Sequence, residues 1–127
     1  TMFESCYQYM FSGCSSLVKA PELPATNLAS QCYYSMFLNC TSLVNAPALP
    51  ATILKTSCYS YMYKGCKNLA YIKMMALDGL SSGSYTNSWV DGVGATGTFV
   101  KNAAATWTDT FGASAIPTGW TVETATE

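Results

Sequence analysis

The chain of 127 residues contains no histidine and no arginine, and charged residues make up only 10% of it. Without histidine it lacks the side chain most used for proton transfer near neutral pH, and the usual activator of a serine or cysteine nucleophile. The carboxylates of its second half, Asp78, Asp91, Asp109, Glu123 and Glu127, are scattered through turns and tail. Six lysines against seven acidic residues leave a net charge of −1, which offers no basic footprint to nucleic acid or anionic lipid. No apolar run reaches the roughly 18 residues of a membrane span. The six cysteines include no Cys-x-x-Cys pair, which argues against zinc. No enzyme activity, metal, cofactor or nucleic-acid partner is expected, and no membrane span in these residues.

What the sequence has in abundance is self-similarity. A unit of 26 residues recurs in register, placing Cys6, Cys32 and Cys58 in one column and Cys14, Cys40 and Cys66 in another. Tyr7, Tyr33 and Tyr59 keep the same step, as do Met10, Met36 and Met62, then Phe11, Phe37 and Tyr63, then Leu17, Leu43 and Leu69. A short unit that cannot bury its own apolar face is stabilised by stacking on copies of itself, so this period predicts a solenoid. Thr1 aligns with Asn27 and Ile53. The chain thus enters partway through a unit, and a parent with further repeats upstream is expected.

Within each unit, Leu28, Cys32 and Met36 stand at i, i+4 and i+8 with Tyr33 and Phe37 beside them. This reads as the apolar stripe of a short helix, with Thr26 and Thr52 as N-caps and Gly13, Asn39 and Gly65 as left-handed stops. The Pro-broken stretch 16–24 reads as a brief extended strand. Strands stack about 4.8 Å apart and helices about 10 Å apart, so the solenoid should curve with its strands on the concave side. In the third unit Lys73 and Ala76 replace both prolines, strengthening the strand before a turn at Asp78-Gly79. Beyond Leu80 the echo fades into a Gly-, Ser-, Thr- and Trp-bearing tail. Thr98 to Lys101 and Trp120 to Glu123 read there as strands, and Trp89, Trp107 and Trp120 as a cover for the core. The expected organisation is a repeat array over 1–80, about three units, followed by a cap over 81–127.

The recurring Met-Phe-x-x-Cys-x-Ser-Leu-x-x-Ala-Pro-x-Leu-Pro-Ala-Thr, at 36–52 and closely at 10–26, resembles the BspA-like leucine-rich repeats of bacterial surface proteins. Met36, Phe37, Cys40, Leu43 and Ala46 correspond to core positions of that repeat. The tail, with Thr-Gly-Thr-Phe-Val-Lys at 96–101 and Ile-Pro-Thr-Gly-Trp-Thr-Val at 116–122, looks like the ending of such arrays in the Bacteroides group. The resemblance implies an α/β leucine-rich-repeat solenoid, with short parallel strands on the concave side, short helices on the convex side and a β-rich C-terminal cap. It also implies secretion to the bacterial cell surface and adhesion or ligand binding.

The positions that vary between copies on the expected concave strands are Lys19, Asn45 and Tyr71 in one column and Glu22, Ala48 and Met74 in the next. Lys19, Glu22, Asn45, Tyr71 and Met74 are therefore the candidate contacts for a protein or glycan ligand, set against the plainer reading of a solvated face with drifting sequence. A structural stalk presenting another domain is the alternative function. Tyr33, Tyr34, Tyr59, Tyr61 and Tyr63 could stack sugars, but the recurring ones read better as core. The cysteines read as buried free thiols ahead of a bridge between the two columns. Gly92 to Gly97 spells G-x-G-x-x-G but runs into a strand rather than a helix, so it reads as a turn. Weak self-association is expected at the N-terminal end, where Met2, Cys6 and Met10 have no preceding unit to cover them.

Overall fold

The structure is a computed structural model that describes residues 3–80 and 84–125; Met2 lies outside them. The expected helices do not form. Among the described residues there is no helix, and the regular structure is one parallel sheet of three short strands, β1 (Tyr71–Met74), β2 (Thr98–Lys101) and β3 (Thr121–Thr124). The α/β leucine-rich-repeat solenoid with helices is thus overturned in favour of a mostly irregular chain laid down in successive stacked coils.

In place of the expected helices, such as that from Leu28 to Phe37, the backbone makes overlapping turns at 4–13, 30–39 and 56–65. The N–H groups of Cys32, Tyr34, Met36, Leu38 and Cys40 donate to the carbonyls three residues back, those of Ala29, Gln31, Tyr33, Ser35 and Phe37. The intervening N–H groups leave the coil. Gln31, Tyr33, Ser35, Phe37 and Asn39 donate to Thr56, Cys58, Ser60, Met62 and Lys64 of the next coil at 2.8–3.1 Å. Every fourth residue is left-handed: Ser5, Tyr9 and Gly13, then Gln31, Ser35 and Asn39, then Ser57, Tyr61 and Gly65. Gly13, Asn39 and Gly65 do adopt the conformation expected of them, but as members of this series and not as helix stops. Thr26 and Thr52 correspondingly cap nothing. A left-handed residue with a side chain costs about 1–2 kcal/mol. Here each such residue also sends its N–H across to the next coil, which helps to offset that cost.

The same geometry removes the reason for a strongly wider outer side. Rings in successive coils lie 5.6 Å apart for Phe11 and Phe37, 5.7 Å for Phe37 and Tyr63, and 6.2 Å for Tyr33 and Tyr59, well short of helix spacing. Both aromatic columns end on Trp89, which stacks on Tyr59 and tilts against Tyr63, each at 6.0 Å. Its indole N–H donates to the carbonyl of Ala115 at 2.8 Å, so the ring lies inside the stack.

On the opposite side, Lys19, Asn45, Tyr71, Thr98 and Thr121 pair in parallel, each with the next, and the inward row behind them holds the buried Ala46, Ile72 and Phe99. The prolines reduce the first two extended segments to isolated bridges at Lys19, Asn45 and Leu49, whereas the proline-free third segment gives β1. The chain bends at 77–78, and Gly79 has φ of 91°. Past Leu80, where the sequence echo fades, β2 pairs with β1 and β3 with β2 in the same parallel sense. β2 spans the expected residues and β3 lies one residue later than expected.

Candidate binding face

The outward strand-side residues converge on an open groove of about 600 Å³ across the first two coils. Lys19, Glu22 and Asn45 line it together with Val18, Val44 and Pro47. Val18 and Val44 are 65% and 41% exposed, an apolar pair one residue before the bridged Lys19 and Asn45. They share the groove with one cation, one anion and one amide. Tyr71 continues the Lys19–Asn45 row as a half-buried residue of β1.

Met74 departs from its expected position. The bridge from the second coil runs from Leu49 to Met74, a step of 25, while Asn45 to Tyr71 keeps a step of 26. The second coil thus spends four residues, including Pro47, where β1 spends three. The slip moves Met74 from the column of Glu22 and Ala48 into that of the core leucines, where it is fully buried. Of the five candidates, Lys19, Glu22 and Asn45 are brought together, Tyr71 adjoins them, and Met74 belongs to the core. Val18 and Val44 were overlooked because a recurring valine reads as core. Alternation from Leu17 and Leu43 turns both valines outward, but the segment does not alternate strictly, because the adjacent Lys19 and Asn45 face the same groove.

The tyrosines divide. Tyr33, Tyr59 and Tyr63 are buried, whereas Tyr34 and Tyr61 join Tyr9 in an edge-to-face row on the outside of the turns, at 5.7 Å and 5.4 Å. In this row Tyr34 fills the gap that Ser35 leaves between Tyr9 and Tyr61. Asn87 donates to the Tyr61 hydroxyl at 3.1 Å, and Lys64 lies over the Tyr61 ring. The Gly-rich run serves backbone approach: Gly94 receives the Trp120 indole N–H on its carbonyl at 2.8 Å, and Cβ atoms at Gly94 and Gly97 would press on the Leu69 and Ala70 carbonyls.

All six cysteines are free thiols, four of them buried and Cys6 and Cys14 exposed. The second cysteine column has a bonding role. The thiol of Cys40 donates to the carbonyl of Phe11 at 3.1 Å and that of Cys66 to the carbonyl of Phe37 at 3.0 Å, each clamping its coil to the preceding one. Burial pushes the Cys58 and Cys66 thiols up to about 12, and raises Cys32 and Cys40 in the same direction. At neutral pH these four thiols are protonated and unsuited to nucleophilic attack. Among the described residues no cluster of His, Cys, Asp or Glu is arranged to hold a metal ion, and no helix is long and apolar enough to cross a membrane.

Comparison with protein-family models, with curated proteins and with solved structures returns no match.

Proposed function

We propose that this protein is a noncatalytic binding protein that takes an extended segment of a protein ligand along the groove of Lys19, Glu22 and Asn45. The observation that carries the reading is the composition of that groove. Exposed Val18 and Val44 and the proline rings supply apolar contact, while Lys19, Glu22 and Asn45 supply directed polar groups. This is the mix expected of a peptide site. The groove lining contains no aromatic ring, which favours a protein ligand over a stacked glycan. The absence of histidine and the protonated buried thiols support a noncatalytic role. The resemblance of the repeated motif to bacterial surface repeats supports an extracellular or cell-surface location and an adhesive use, without the helix-bearing fold of those repeats.

Panning a displayed peptide library on the protein tests this, with the variants Val44→Glu and Lys19→Glu as counter-targets. Enriched peptides should lose at least tenfold in affinity for each variant, while a glycan array gives no binding sensitive to either. Failure to enrich any peptide, or peptides indifferent to both substitutions, would favour a spacer that presents some other domain.

A further inference from the structure

The turns carry a row of tyrosines that core packing does not account for. Tyr9, Tyr34 and Tyr61 lie outside the hydrophobic core and meet edge to face on successive coils, with 71° between neighbouring rings. Tyr9 and Tyr61 are moreover left-handed, with φ of 60° and 57°, a conformation that a bulky side chain rarely takes. The other left-handed places in the three turn runs hold Ser, Gln, Asn or Gly. An outlier of this kind persists where its surroundings hold it, and such residues cluster at functional sites. In the middle coil the corresponding place holds the buried Ser35, and the ring comes from Tyr34 one residue earlier. A ring is thus displayed at each step although the backbone position that supplies it changes, so the feature that is kept belongs to the surface.

Polar groups frame the row. Asn87, one period beyond Tyr61, donates its side-chain amide to the Tyr61 hydroxyl at 3.1 Å, which leaves the hydroxyl's own proton for another acceptor. Lys64 lies 5.5 Å above the Tyr61 ring and 4.0 Å from the Asp91 carboxylate, so its charge is countered locally. Between the rings, Leu38, Asn39 and Lys64 the surface sinks into an open depression of about 370 Å³, within the roughly 300–1,000 Å³ of small-ligand sites. Tyr34 and Tyr61 belong to coils bonded to a neighbour on both sides, so their half-buried state is that of the interior of the stack.

We propose that this row is a second binding site, for a neutral oligosaccharide laid across successive coils. A pyranose chain presents C–H faces between rims of hydroxyl groups, and the row answers with aromatic surface between hydroxyl, amide and ammonium groups. Tyrosine suits this use because its ring gives wide, rigid, amphipathic contact at low cost in conformational freedom. The countered charge of Lys64 favours neutral sugars over uronic acids. A ring at every coil favours a ligand that is itself periodic, and Leu38, the one aliphatic side chain lining the depression, offers little anchor to a protein partner. The row shares no lining residue with the strand-side groove, so the proposal stands independently of the peptide site.

The test titrates the full chain with an array of neutral oligosaccharides, including cello-, xylo-, malto- and N-acetylchito-hexaoses, and repeats it with Tyr34→Ala, Tyr61→Ala, Tyr34→Trp and Val44→Glu. At least one oligosaccharide should bind, lose at least tenfold in affinity with either alanine variant, and bind Tyr34→Trp and Val44→Glu as it binds the parent. Should an alanine variant fail to fold, hydroxyl-radical footprinting of the parent decides: saturating oligosaccharide should slow the oxidation of Tyr34 and Tyr61 at least threefold and leave Val18 and Val44 unchanged. No binding across the array, or binding that spares both tyrosines in these measurements, overturns the proposal. Binding abolished by Val44→Glu would place the sugar in the strand-side groove and overturn it as well. Displayed peptides that lose affinity with Tyr61→Ala but keep it with Val44→Glu would give the row to a protein partner, with the same consequence.

Discussion

The side chain of Asn39 occupies the place a Cβ would need at Gly65. Both residues are left-handed, with φ of 60° and 79°, and the Asn39 amide oxygen lies against Gly65 on the next coil. Gly13, at the same point of the first coil with φ of 76°, has nothing near the position of a Cβ. The two glycines share a backbone and differ in their surroundings. Gly13→Ala should cost roughly 1–2 kcal/mol, from the left-handed conformation alone. Gly65→Ala should cost about 1–3 kcal/mol more, because Asn39 must be displaced from a packed position. Urea unfolding of the two variants measures the difference, and equal losses would mean that the contact between coils at Gly65 is not formed in solution.

Tyr63 gives a prediction of the opposite sign. Its column holds Phe11 and Phe37, and its hydroxyl is buried without a hydrogen-bond partner among the described residues. Tyr63→Phe keeps the stack against Phe37 and removes a stranded polar group, whose burial costs about 1–3 kcal/mol. The variant should be more stable than the parent by roughly 1 kcal/mol. A loss of stability would show that the hydroxyl is bonded after all.

The turn runs show where sequence reading succeeds and where it misleads. The 26-residue step is visible because the same side chains meet at every interface, as Tyr33 meets Tyr59 and Phe37 meets Tyr63. The helices were inferred from Leu28, Cys32 and Met36, spaced by four. A helix turns about 100° per residue, so residues held strictly four apart drift around it by about 40° at each step. Overlapping turns that repeat every four residues carry them straight along one side. A strict spacing of four, kept as far as Cys40, was the clue, and it competes poorly with the familiar helical stripe. Met74 was misplaced for a different reason: sequence identity keeps a step of 26 where the backbone takes 25, and nothing in the residues marks the slip before Lys73 is seen in β1. Lys19, Glu22 and Asn45 were legible as candidates because they vary between copies while the core positions around them recur. The continuation of the stack into β2 and β3 was hidden because Trp89 takes the place of smaller rings and the steps between Tyr71, Thr98 and Thr121 are 27 and 23.

Alkaline pH should unfold the protein steeply. The Cys58 and Cys66 thiols rise from 9.0 to about 12 on burial, so above pH 9 the unfolded chain releases protons that the folded chain retains. With fewer protons bound in the unfolded state, stability falls as pH rises. Each thiol contributes a slope of about 1.4 kcal/mol per pH unit between the two values. Burial also holds the Tyr59 and Tyr63 hydroxyls well above 10.0, which adds to the loss in the same direction above pH 10. Urea midpoints under reducing conditions should be flat from pH 6 to pH 8 and then decline, and Cys58→Ala should make the decline shallower. A midpoint unchanged up to pH 11 would mean that these thiols are open to solvent.

Deleting residues 107–127 should open the end that Trp89 and Phe99 now occupy. β3 is the neighbour of β2 on that side, with Phe99 paired to Val122 in register. The carbonyl of Ala115 accepts the indole N–H of Trp89, and Trp107 packs edge-on against Phe99 at 6.2 Å. Removing the segment leaves a fully buried indole without its acceptor, exposes Phe99, and turns β2 into an edge strand with unpaired backbone groups. Loss of the Trp120 ring alone, buried over Gly97 and bonded to Gly94, is a milder version and should cost about 3–5 kcal/mol in Trp120→Ala. The deletion should aggregate at concentrations where the parent stays dispersed, and its Trp89 fluorescence should shift to the red. A deletion variant that sediments as a monomer and melts cooperatively near the parent temperature would show that the coils ending at β2 are sufficient on their own, and that β3 does not close the stack.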